Sequence, residues 1–380
     1  MQLLGDIIII MEFRELSEEE FERARFGCDN FLQSVEMYRR HKALGREAYL
    51  VGVRDKKTQA VVAKGVIMTH KWYLGKKLCR VPGGWVLDYE AKNWQEVLGF
   101  LTEQAKEFCA QRGGIVIEIA PNVVAQARDG ENNIVRGGED HLAVKAELVK
   151  LEYKYLGEYE CTKWTYALDL KDKEAEEIFR SFREGHRRVM KKGIKSGVKI
   201  RELSNGELGI LDGIIADTAK RRGFHDSGMD YYRTMKEHFG DKVWHMVAEA
   251  PRYVLAGKVE PEDEDDKKMA PIAAAMFVGS GEEVIYLCGG SRAEYKKLGA
   301  PHLIQWEMIQ RAKEAGYIRH NFYGMKPVKG SGVYMFKQGF HGYVREMLGM
   351  FALPIGILGK IYVARLKEIT YACIKGEEGN

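Results

Sequence analysis

The sequence predicts an α/β protein in which one structural unit, a mixed β-sheet with a central helix, occurs twice in tandem. The chain has 380 residues, of which 45% are hydrophobic and 30% charged. This suits two globular domains of about 150 to 200 residues each. In each half of the chain, three β-rich runs precede one periodic helix and a further short strand. The order β-β-β-α-β therefore appears twice, which indicates two domains of the same kind.

The first copy begins with a predicted β-hairpin. Its strands cover residues 47–53 and 60–69, and the turn DKKTQ lies between them. A third strand is predicted at 85–89, WVLDY. The helix NWQEVLGFLTEQAKEFCAQRGG ends on two glycines, which favour a helix C-cap, and the strand IVIEIAP at 115–121 follows it.

The second copy repeats this order. Strands are predicted at 243–250, 270–278 and 283–291, and the helix at 301–316 is closed by a glycine before the strand IRHNFYGM. Between the copies, the strand KWTYALDL precedes a long, mostly basic helix at 173–196. The acidic segment 259–268, VEPEDEDDKK, lies between two second-half strands, and we expect a solvated loop there.

Composition excludes several classes of protein. The net charge of +4 is a mild excess that favours an anionic partner. Six cysteines lie far apart without a CxxC pair, so we expect a reduced compartment and neither a disulfide framework nor a zinc site. The ten histidines lack the spacing of metal ligands, and we expect no metal and no cofactor.

The first ten residues, MQLLGDIIII, do not form a secretory signal or a membrane span. The segment from Met11, MEFRELSEEEFE, has the serine and acidic residues that begin a helix, and we expect Met11 to be the true start.

A hairpin, a helix and a following strand are the order of the GCN5-type acyltransferase (GNAT) fold. That fold commonly holds the pyrophosphate of an acyl-CoA in a Gly-rich loop before the central helix. The corresponding second-half loop, SRAEYKKLGAP, has one glycine, and the first-half loop, EAKNW, has no group that would bind phosphate. An acyl-CoA N-acyltransferase is therefore the second choice among enzymes.

Six segments together resemble a known family, and they occur in the order FLQS (31–34), PGGWVLDY (82–89), YLCGGS (286–291), LIQWEMIQRAKEAG (303–316), NFYG (321–324) and GVYMFKQGF (332–340). The chain resembles the FemABX aminoacyltransferases from about residue 11 onwards, and the last segment is the most specific. The resemblance implies an acceptor-side GNAT-like domain formed by 11–160 plus 342–380, and a donor-side, catalytic domain at 161–341. The second half shows no run of about 60 heptad-patterned residues, so we expect a compact variant without a coiled-coil arm.

The resemblance implies an enzyme that takes an amino acid from aminoacyl-tRNA and attaches it to the side-chain amine of a peptidoglycan precursor's stem peptide. The acceptor is UDP-MurNAc-pentapeptide or lipid II, and DNA is not a partner. The expected location is the cytoplasm, with peripheral contact at the inner face of the membrane as an open alternative. Converting an ester into an amide requires a deprotonated amine, an ester carbonyl positioned within reach of it, and positive charge near the developing oxyanion. From a different class, a non-catalytic protein that binds tRNA or the cell-wall precursor stays open.

The resemblance places the pair Phe336 and Lys337 at the aminoacyl ester, where Lys337 stabilises charge, and makes both residues catalytic candidates. If the segment is a strand, alternation places Val333, Met335 and Lys337 on one face and Tyr334, Phe336 and Gln338 on the other. A lysine beside two apolar residues is unusual for an amphipathic strand. The alternative is an ordinary lysine that reaches the surface past them. Tyr334 is a further candidate for substrate binding.

The predicted basic helix is a candidate for phosphate binding. Five cations recur at steps of three and four residues, so they share one helix face: Arg180, Arg183, Arg187, Lys191 and Lys195. They would bind the phosphates of a tRNA or the pyrophosphate of the precursor, or else form a solvated face. Ser291 and Arg292 begin the loop before the second-half helix and are candidate contacts for either substrate.

The acceptor side departs from the family pattern. Met37 stands where many members have Trp, His41 (or Lys42 with a shift of one) where a relative has a ligand-contacting lysine, and Ala120 where an acidic residue is common. Tyr231 matches a family tyrosine on a second-domain helix. These changes speak against the soluble UDP-linked muropeptide as the acceptor, but the choice between the soluble and the lipid-linked precursor stays open.

The C-terminal segment FALPIGILGKIYVARLKEITYACIK predicts a basic amphipathic helix. It is either a terminal helix docked on its own domain or a helix that lies on an anionic membrane surface. Its apolar positions are 357, 358, 361, 363, 366, 369 and 373, and its basic residues include Lys360, Arg365, Lys367 and Lys375.

Overall fold

The structure is a computed structural model that describes residues 10–159 and 161–377, without the side chains of residue 367 and residues 369–377. The predicted start at Met11 concerns residues 1–9, which lie outside this description. The described chain divides into two compact units. The first contains 10–127, Arg136–Lys163 and 346–377, and the second contains Arg128–Val135 and Trp164–Arg345.

The strands are numbered in chain order. They are β1 Met11–Glu15, β2 Ala48–Asp55, β3 Val61–Lys71, β4 Lys77–Gly83, β5 Val86–Leu87, β6 Gly114–Pro121, β7 Val124–Ala127, β8 Lys154–Gly157, β9 Trp164–Asp169, β10 Lys199–Glu202, β11 Val243–Pro251, β12 Met269–Ser280, β13 Glu283–Ser291, β14 Arg319–Gly324, β15 Tyr343–Met347 and β16 Met350–Pro354.

The α-helices are α1 Glu18–Arg23, α2 Val35–Ala43, α3 Trp94–Gln111, α4 Leu142–Lys150, α5 Ala175–Ser181, α6 Glu184–Lys195, α7 Leu208–Arg222, α8 Met229–Phe239, α9 Arg252–Leu255, α10 Glu264–Lys267, α11 Ala300–Glu314, α12 Gly332–Gln338 and α13 Gly356–Glu377. Among the described residues of the second unit, the longest helices have 15 residues, which is too short for a coiled-coil arm.

The first unit contains a sheet in the order β1-β2-β3-β4-β6-β16-β8, with β5 paired to β3. Strands β2, β3 and β4 are antiparallel, and α3 leads the chain to β6, which is parallel to β4. Leu98 and Leu101 of α3 are buried in the same core as Val51, Val81 and Ile117 of the sheet. Burial of each such side chain contributes about 1.5 to 3 kcal/mol.

The third strand of this unit was predicted at the wrong place. It is β4, Lys77–Gly83, and only Val86–Leu87 of the predicted stretch 85–89 is a strand. Leu78, Cys79 and Val81 give β4 its buried residues, but the two flanking lysines and a proline hide them in the sequence.

The second unit repeats the arrangement and confirms the doubled order. Its strands follow in the order β10-β11-β12-β13-β14-β9-β15. Strands β11, β12 and β13 are antiparallel, α11 follows, and β14 is parallel to β13. Leu303, Ile304 and Met308 of α11 are buried in one core with Phe277 and Met246 of the sheet.

The single basic helix predicted at 173–196 is wrong, because the chain forms α5 and α6 with a break at Phe182 and Arg183. Both residues at the break have extended backbone, with ψ values of 148° and 143°. The Phe182 ring is buried against Trp306 and Phe340, at centroid distances of 5.7 Å and 5.1 Å. Burying this ring accounts for the change of direction between the two helices.

The acidic segment 259–268 is solvated, as predicted, although it includes the single turn α10. Val259 is 91% exposed, and ion pairs join Lys258 to Asp266 and Arg252 to Asp265.

Helix α13 docks on its own unit. Val363 and Leu366 are buried in one cluster with Ile115, and Gly359 lies so close to the Ile115 carbonyl that a Cβ would come within 2.0 Å. The side chains predicted to be apolar at 369 and 373, and those of Lys367 and Lys375, lie outside the part of the chain that is described. Within 10–159 and 161–377, no helix is both long and apolar enough to cross a bilayer.

Candidate functional site

The second sheet opens between its two parallel strands. β13 and β14 pair only at Glu283–Arg319, Val284–His320 and Ile285–Asn321, although β13 continues to Ser291 and β14 to Gly324. A bulge in the pairing of β12 with β13 follows Met276 and turns β13 at this point. In the first unit, by contrast, the parallel pair β4 and β6 is matched along all of β4. Beyond these three residue pairs, the facing edges of β13 and β14 therefore no longer pair with each other.

The segment GVYMFKQ forms helix α12, so the prediction of a strand with alternating faces is wrong. Ser331 caps the helix, its Oγ accepting from the Tyr334 amide. Val333 and Met335 are exposed, whereas Tyr334 and Lys337 are buried. Three residues apart on a helix, Tyr334 and Lys337 share one face, which a strand would have separated.

Lys337 places its amine at the open end of β14. Its side chain is only 3% exposed, and Nζ donates to the carbonyls of Tyr323, at 3.0 Å, and Gly324, at 2.6 Å. Tyr323 has a φ of +60°, within the irregularity of the β14–β9 pairing, and this brings two consecutive carbonyls to one amine. Burial lowers the pKa of Lys337 to about 7, so both protonation states are populated near neutral pH.

Residues 128–135 contact one face of α12. The Tyr334 hydroxyl and the Gln338 amide both donate to the Gly130 carbonyl at 2.9 Å. A Cβ on Gly130 would lie 2.8 Å from the Gly342 carbonyl oxygen, so only glycine fits there. The predicted boundary at 160 assigned residues 128–135 to the first domain. In the structure they belong to the second unit.

Helix α6 is hydrogen-bonded to the C-terminal end of α12. His186 Nε2 donates to the Phe336 carbonyl at 2.8 Å, and the Arg183 amide donates to the Gly339 carbonyl at 2.9 Å. The Phe336 ring packs against His302 at a centroid distance of 4.9 Å. Burial lowers the pKa of His186, and burial lowers that of His302 to about 3, so both rings are neutral at neutral pH.

The predicted cations divide between two helices. Arg180, on α5, pairs with Glu176, and Arg183, at the start of α6, pairs with Glu131. On α6, four exposed basic residues lie away from the buried Met190 and Gly193: Arg188, Lys191, Lys192 and Lys195. Arg187 is half-buried, and its Nε is enclosed by the protein. Of the predicted set, Arg187, Lys191 and Lys195 therefore share a helix face, and Arg180 does not.

The loop before α11 is covered by α6. A Cβ on Gly299 would lie 2.9 Å from a methyl of Val189, and one on Gly193 would lie 2.3 Å from the Leu298 carbonyl oxygen. Packing this close leaves little room for a pyrophosphate at the start of α11 on the side that α6 covers.

Ser291 and Arg292 are held by the surrounding chain. The amide of Ser291 donates to Thr218 Oγ1 at 3.0 Å, and its carbonyl accepts from Arg221 Nη2 at 2.7 Å. Arg292 is exposed, and its Nε donates to the Pro271 carbonyl at 3.2 Å.

The two predicted acceptor residues lie in different units. Tyr231 is half-buried on α8 in the second unit, beside the buried Tyr232 at a ring distance of 6.2 Å. His41 is buried on α2 in the first unit. Burial lowers the pKa of His41 to about 4, and the charges of Arg46 and Arg40 add to this, so the ring is neutral.

The sequence analysis missed His186 and Gly130. Neither residue carries a local signal, because each contacts α12 from at least 150 positions away in the chain. Within 10–159 and 161–377, no three His, Cys, Asp or Glu side chains are grouped so as to hold a metal ion.

Comparison with known proteins agrees with this architecture. A crystal structure of FemX superimposes with a TM-score of 0.72 at 19% identity, covering 90% of this chain and 97% of that one. A tandem GNAT protein from the clavulanic acid biosynthesis pathway gives a TM-score of 0.54 at 10% identity, covering 92% and 99%. The doubled fold and the open second sheet thus define a tandem GNAT protein.

The sequence comparisons are more specific. The sequence model of the FemAB family matches residues 16–262 and 255–363. Aminoacyltransferase FemA of Staphylococcus epidermidis is 25% identical over 411 residues, covering 91% of this chain and 96% of that protein. Aminoacyltransferase FemB of the same species is 25% identical over 405 residues, covering 91% and 95%. The chain belongs to the FemAB family, and it is an aminoacyltransferase.

Proposed function

We propose that this aminoacyltransferase takes an amino acid from aminoacyl-tRNA and attaches it to the side-chain amine of a peptidoglycan precursor's stem peptide, forming part of an interpeptide bridge. The observation that carries the proposal is the buried Lys337 amine at the end of β14, where the second sheet opens. The second unit would hold the aminoacyl donor and the first unit the acceptor. Because the donor is a tRNA, the enzyme would act in the cytoplasm.

In the proposed reaction, the acceptor amine attacks the ester carbonyl of the aminoacyl-tRNA. A C–N bond forms, the carbonyl oxygen becomes an oxyanion, and the ammonium of Lys337 stabilises that charge. The ester C–O bond then breaks, and the ribose hydroxyl of the tRNA leaves with the proton that the amine loses. Every atom is supplied by the two substrates, so the step needs no nucleotide cofactor.

Helix α6 would guide the donor. Its basic residues Arg187, Lys191 and Lys195 present positive charge to tRNA phosphates. The bond from His186 to the Phe336 carbonyl joins this helix directly to α12. Phosphate binding on α6 would therefore position the aminoacyl end relative to Lys337. The close packing of α6 on Gly299 speaks against the acyl-CoA alternative.

The test is a transfer assay with tRNA charged with labelled amino acids and two acceptors offered separately, UDP-MurNAc-pentapeptide and lipid II. RNase-sensitive label on either acceptor would support the proposal, and the acceptor that is labelled would decide the meaning of the altered residues Met37, His41 and Ala120. Label on the lipid-linked form alone would place the enzyme at the inner face of the membrane.

Two variants sharpen this assay. Lys337→Met should abolish most transfer, whereas Lys329→Met, which removes an exposed lysine in the loop before α12, should not. Binding of tRNA without transfer to any acceptor would favour the non-catalytic binder. Transfer from an acyl-CoA instead would favour the other enzyme class.

A further inference from the structure

The first unit carries a group of exposed apolar side chains that its own core does not use. The tip of the connection between β3 and β4 contains Trp72, Tyr73 and Leu74. Tyr73 is 70% exposed and Leu74 is 82% exposed. Such large apolar residues are normally scattered singly on a protein surface. Three in a row at the tip of a hairpin indicate a surface that contacts something other than water.

Helix α13 extends this apolar surface. Ile357, which is 78% exposed, Leu358 and Ile361 lie on the side of α13 that faces away from the sheet. Tyr362 of the same helix contacts the Trp72 ring at a centroid distance of 5.8 Å. The tip and the helix therefore form one surface. We call it the hairpin–helix patch, and it consists of Trp72, Tyr73, Leu74, Ile357, Leu358 and Ile361.

Hydrogen bonds and an ion pair to a buried glutamate stabilise the position of Tyr362, which contacts the patch. The Tyr362 hydroxyl donates to Glu118 Oε1 at 2.9 Å, and Arg80 pairs with the other oxygen of Glu118 at 2.7 Å. Leu74 has a φ of +51°, a conformation that a leucine rarely adopts. The fold thus presents an apolar side chain at the tip although the backbone there disfavours it.

The charge around the patch is positive. Lys71 and Lys76 flank the tip, and Lys360 and Arg365 lie on the exposed side of α13. Within the described residues, none of these four side chains forms an ion pair. The nearby acids are neutralised, since Glu47 pairs with Lys77 and Glu118 with Arg80. Glu368 lies further along α13, beyond the apolar part of its exposed side.

We propose that the hairpin–helix patch is a docking surface for an anionic lipid membrane. Tryptophan and tyrosine prefer the headgroup region, leucine and isoleucine reach the acyl boundary, and the surrounding lysines are attracted to acidic headgroups. The exposure of Tyr73 and Leu74 favours this occupant, because exposed apolar side chains can enter a soft interface. The surface would bring the enzyme to a lipid layer by contact with its headgroups and acyl boundary. The proposal goes beyond the transfer reaction and does not depend on it.

The test is sedimentation of the full-length protein with vesicles. We expect binding to phosphatidylcholine vesicles that contain about 30 mol% phosphatidylglycerol, weak binding to pure phosphatidylcholine, and release at about 1 M salt. Leu74→Asp should weaken binding about tenfold or more, and Ile361→Asp should do the same. Aspartate tolerates the left-handed backbone at 74, so that variant should fold.

The matched control is Val259→Asp, which places the same charge on an exposed apolar position of the second unit and should leave binding unchanged. Removing a single cation, as in Lys76→Gln, should cost about fivefold on anionic vesicles and nothing on neutral ones. Circular dichroism of each variant checks folding. Transfer to a water-soluble acceptor should be unchanged, which separates a failed docking surface from a failed transferase.

Three results would overturn the proposal. The first is equal binding of the wild type to neutral and anionic vesicles, and the second is no binding to either. The third is a concentration-dependent dimer in analytical ultracentrifugation that Leu74→Asp dissociates, because the patch would then be covered by a second copy of the chain.

Discussion

Replacing Lys337 with methionine removes the buried amine while keeping a side chain of similar length. If the ammonium stabilises the oxyanion, its loss should lower kcat/KM by about 10²- to 10³-fold at pH 6, as for other donors to a developing oxyanion. With a pKa of about 7, Lys337 is mostly protonated at pH 6. At pH 9 only about one molecule in a hundred is protonated. The ratio of kcat/KM of the wild type to that of Lys337→Met should therefore fall about 100-fold between pH 6 and pH 9.

The assay measures kcat/KM for both proteins across this range and plots their ratio. Titration of the acceptor amine affects both proteins equally, so it cancels in the ratio. A ratio that rises with pH would refute the reasoning, because Lys337 would then act as a base that takes a proton from the amine. A ratio that does not change with pH would show that the amine does not titrate in this range.

The same pKa makes a prediction about stability. The amine binds protons with a pKa of about 7 in the folded protein, against 10.5 as the usual value. Between these two pH values the unfolded chain binds more protons, so the free energy of unfolding rises with pH, by up to about 1.4 kcal/mol per unit. Urea unfolding at pH 7 and pH 9 should show this rise in the wild type and a smaller one in Lys337→Met.

Three further substitutions test the surroundings. His186→Ala removes the donor to the Phe336 carbonyl and should lower kcat about tenfold. The ratio of kcat/KM between proteins with and without Lys337 should keep its pH dependence. An unchanged kcat would show that α12 needs no support from α6. Tyr334→Phe should cost less than about 1 kcal/mol in urea unfolding, because its carbonyl acceptor keeps a second donor, and a loss above about 3 kcal/mol would contradict this. Lys64→Met leaves the charge of Asp29 unpaired in the first unit and should cost about 3 kcal/mol, whereas a gain in stability would show that Asp29 is solvated.

The doubled fold was predictable because its signals are local. The apolar stripes of α3 and α11 repeat within each helix, and the β-rich runs stand beside turn residues. The sequence did not predict that α12 is a helix, because its aromatic and β-branched residues favour strands. Ser331 was the signal available in the sequence, since a serine just before such a run is a common N-cap.

The supports of the site were not predictable. Gly130 reaches Tyr334 across 204 positions, and no local pattern relates the two. The break after α5 depends on where the Phe182 ring is buried, which tertiary packing decides. The motif singled out Lys337 as a candidate, but the burial of its amine against two carbonyls depends on the irregular end of β14.

Strand β16 has a consequence for synthesis on the ribosome. It lies between β6 and β8, so the first sheet is interrupted until residues 350–354 have been made. By then the whole second unit has been translated, and its own strands can pair while the first unit still lacks one of its inner strands. The half-built sheet would expose the unpaired edges of β6 and β8 during this interval, where nascent chains can pair wrongly. Most strands of the second unit, although later in the chain, are therefore available for pairing before the first sheet is complete.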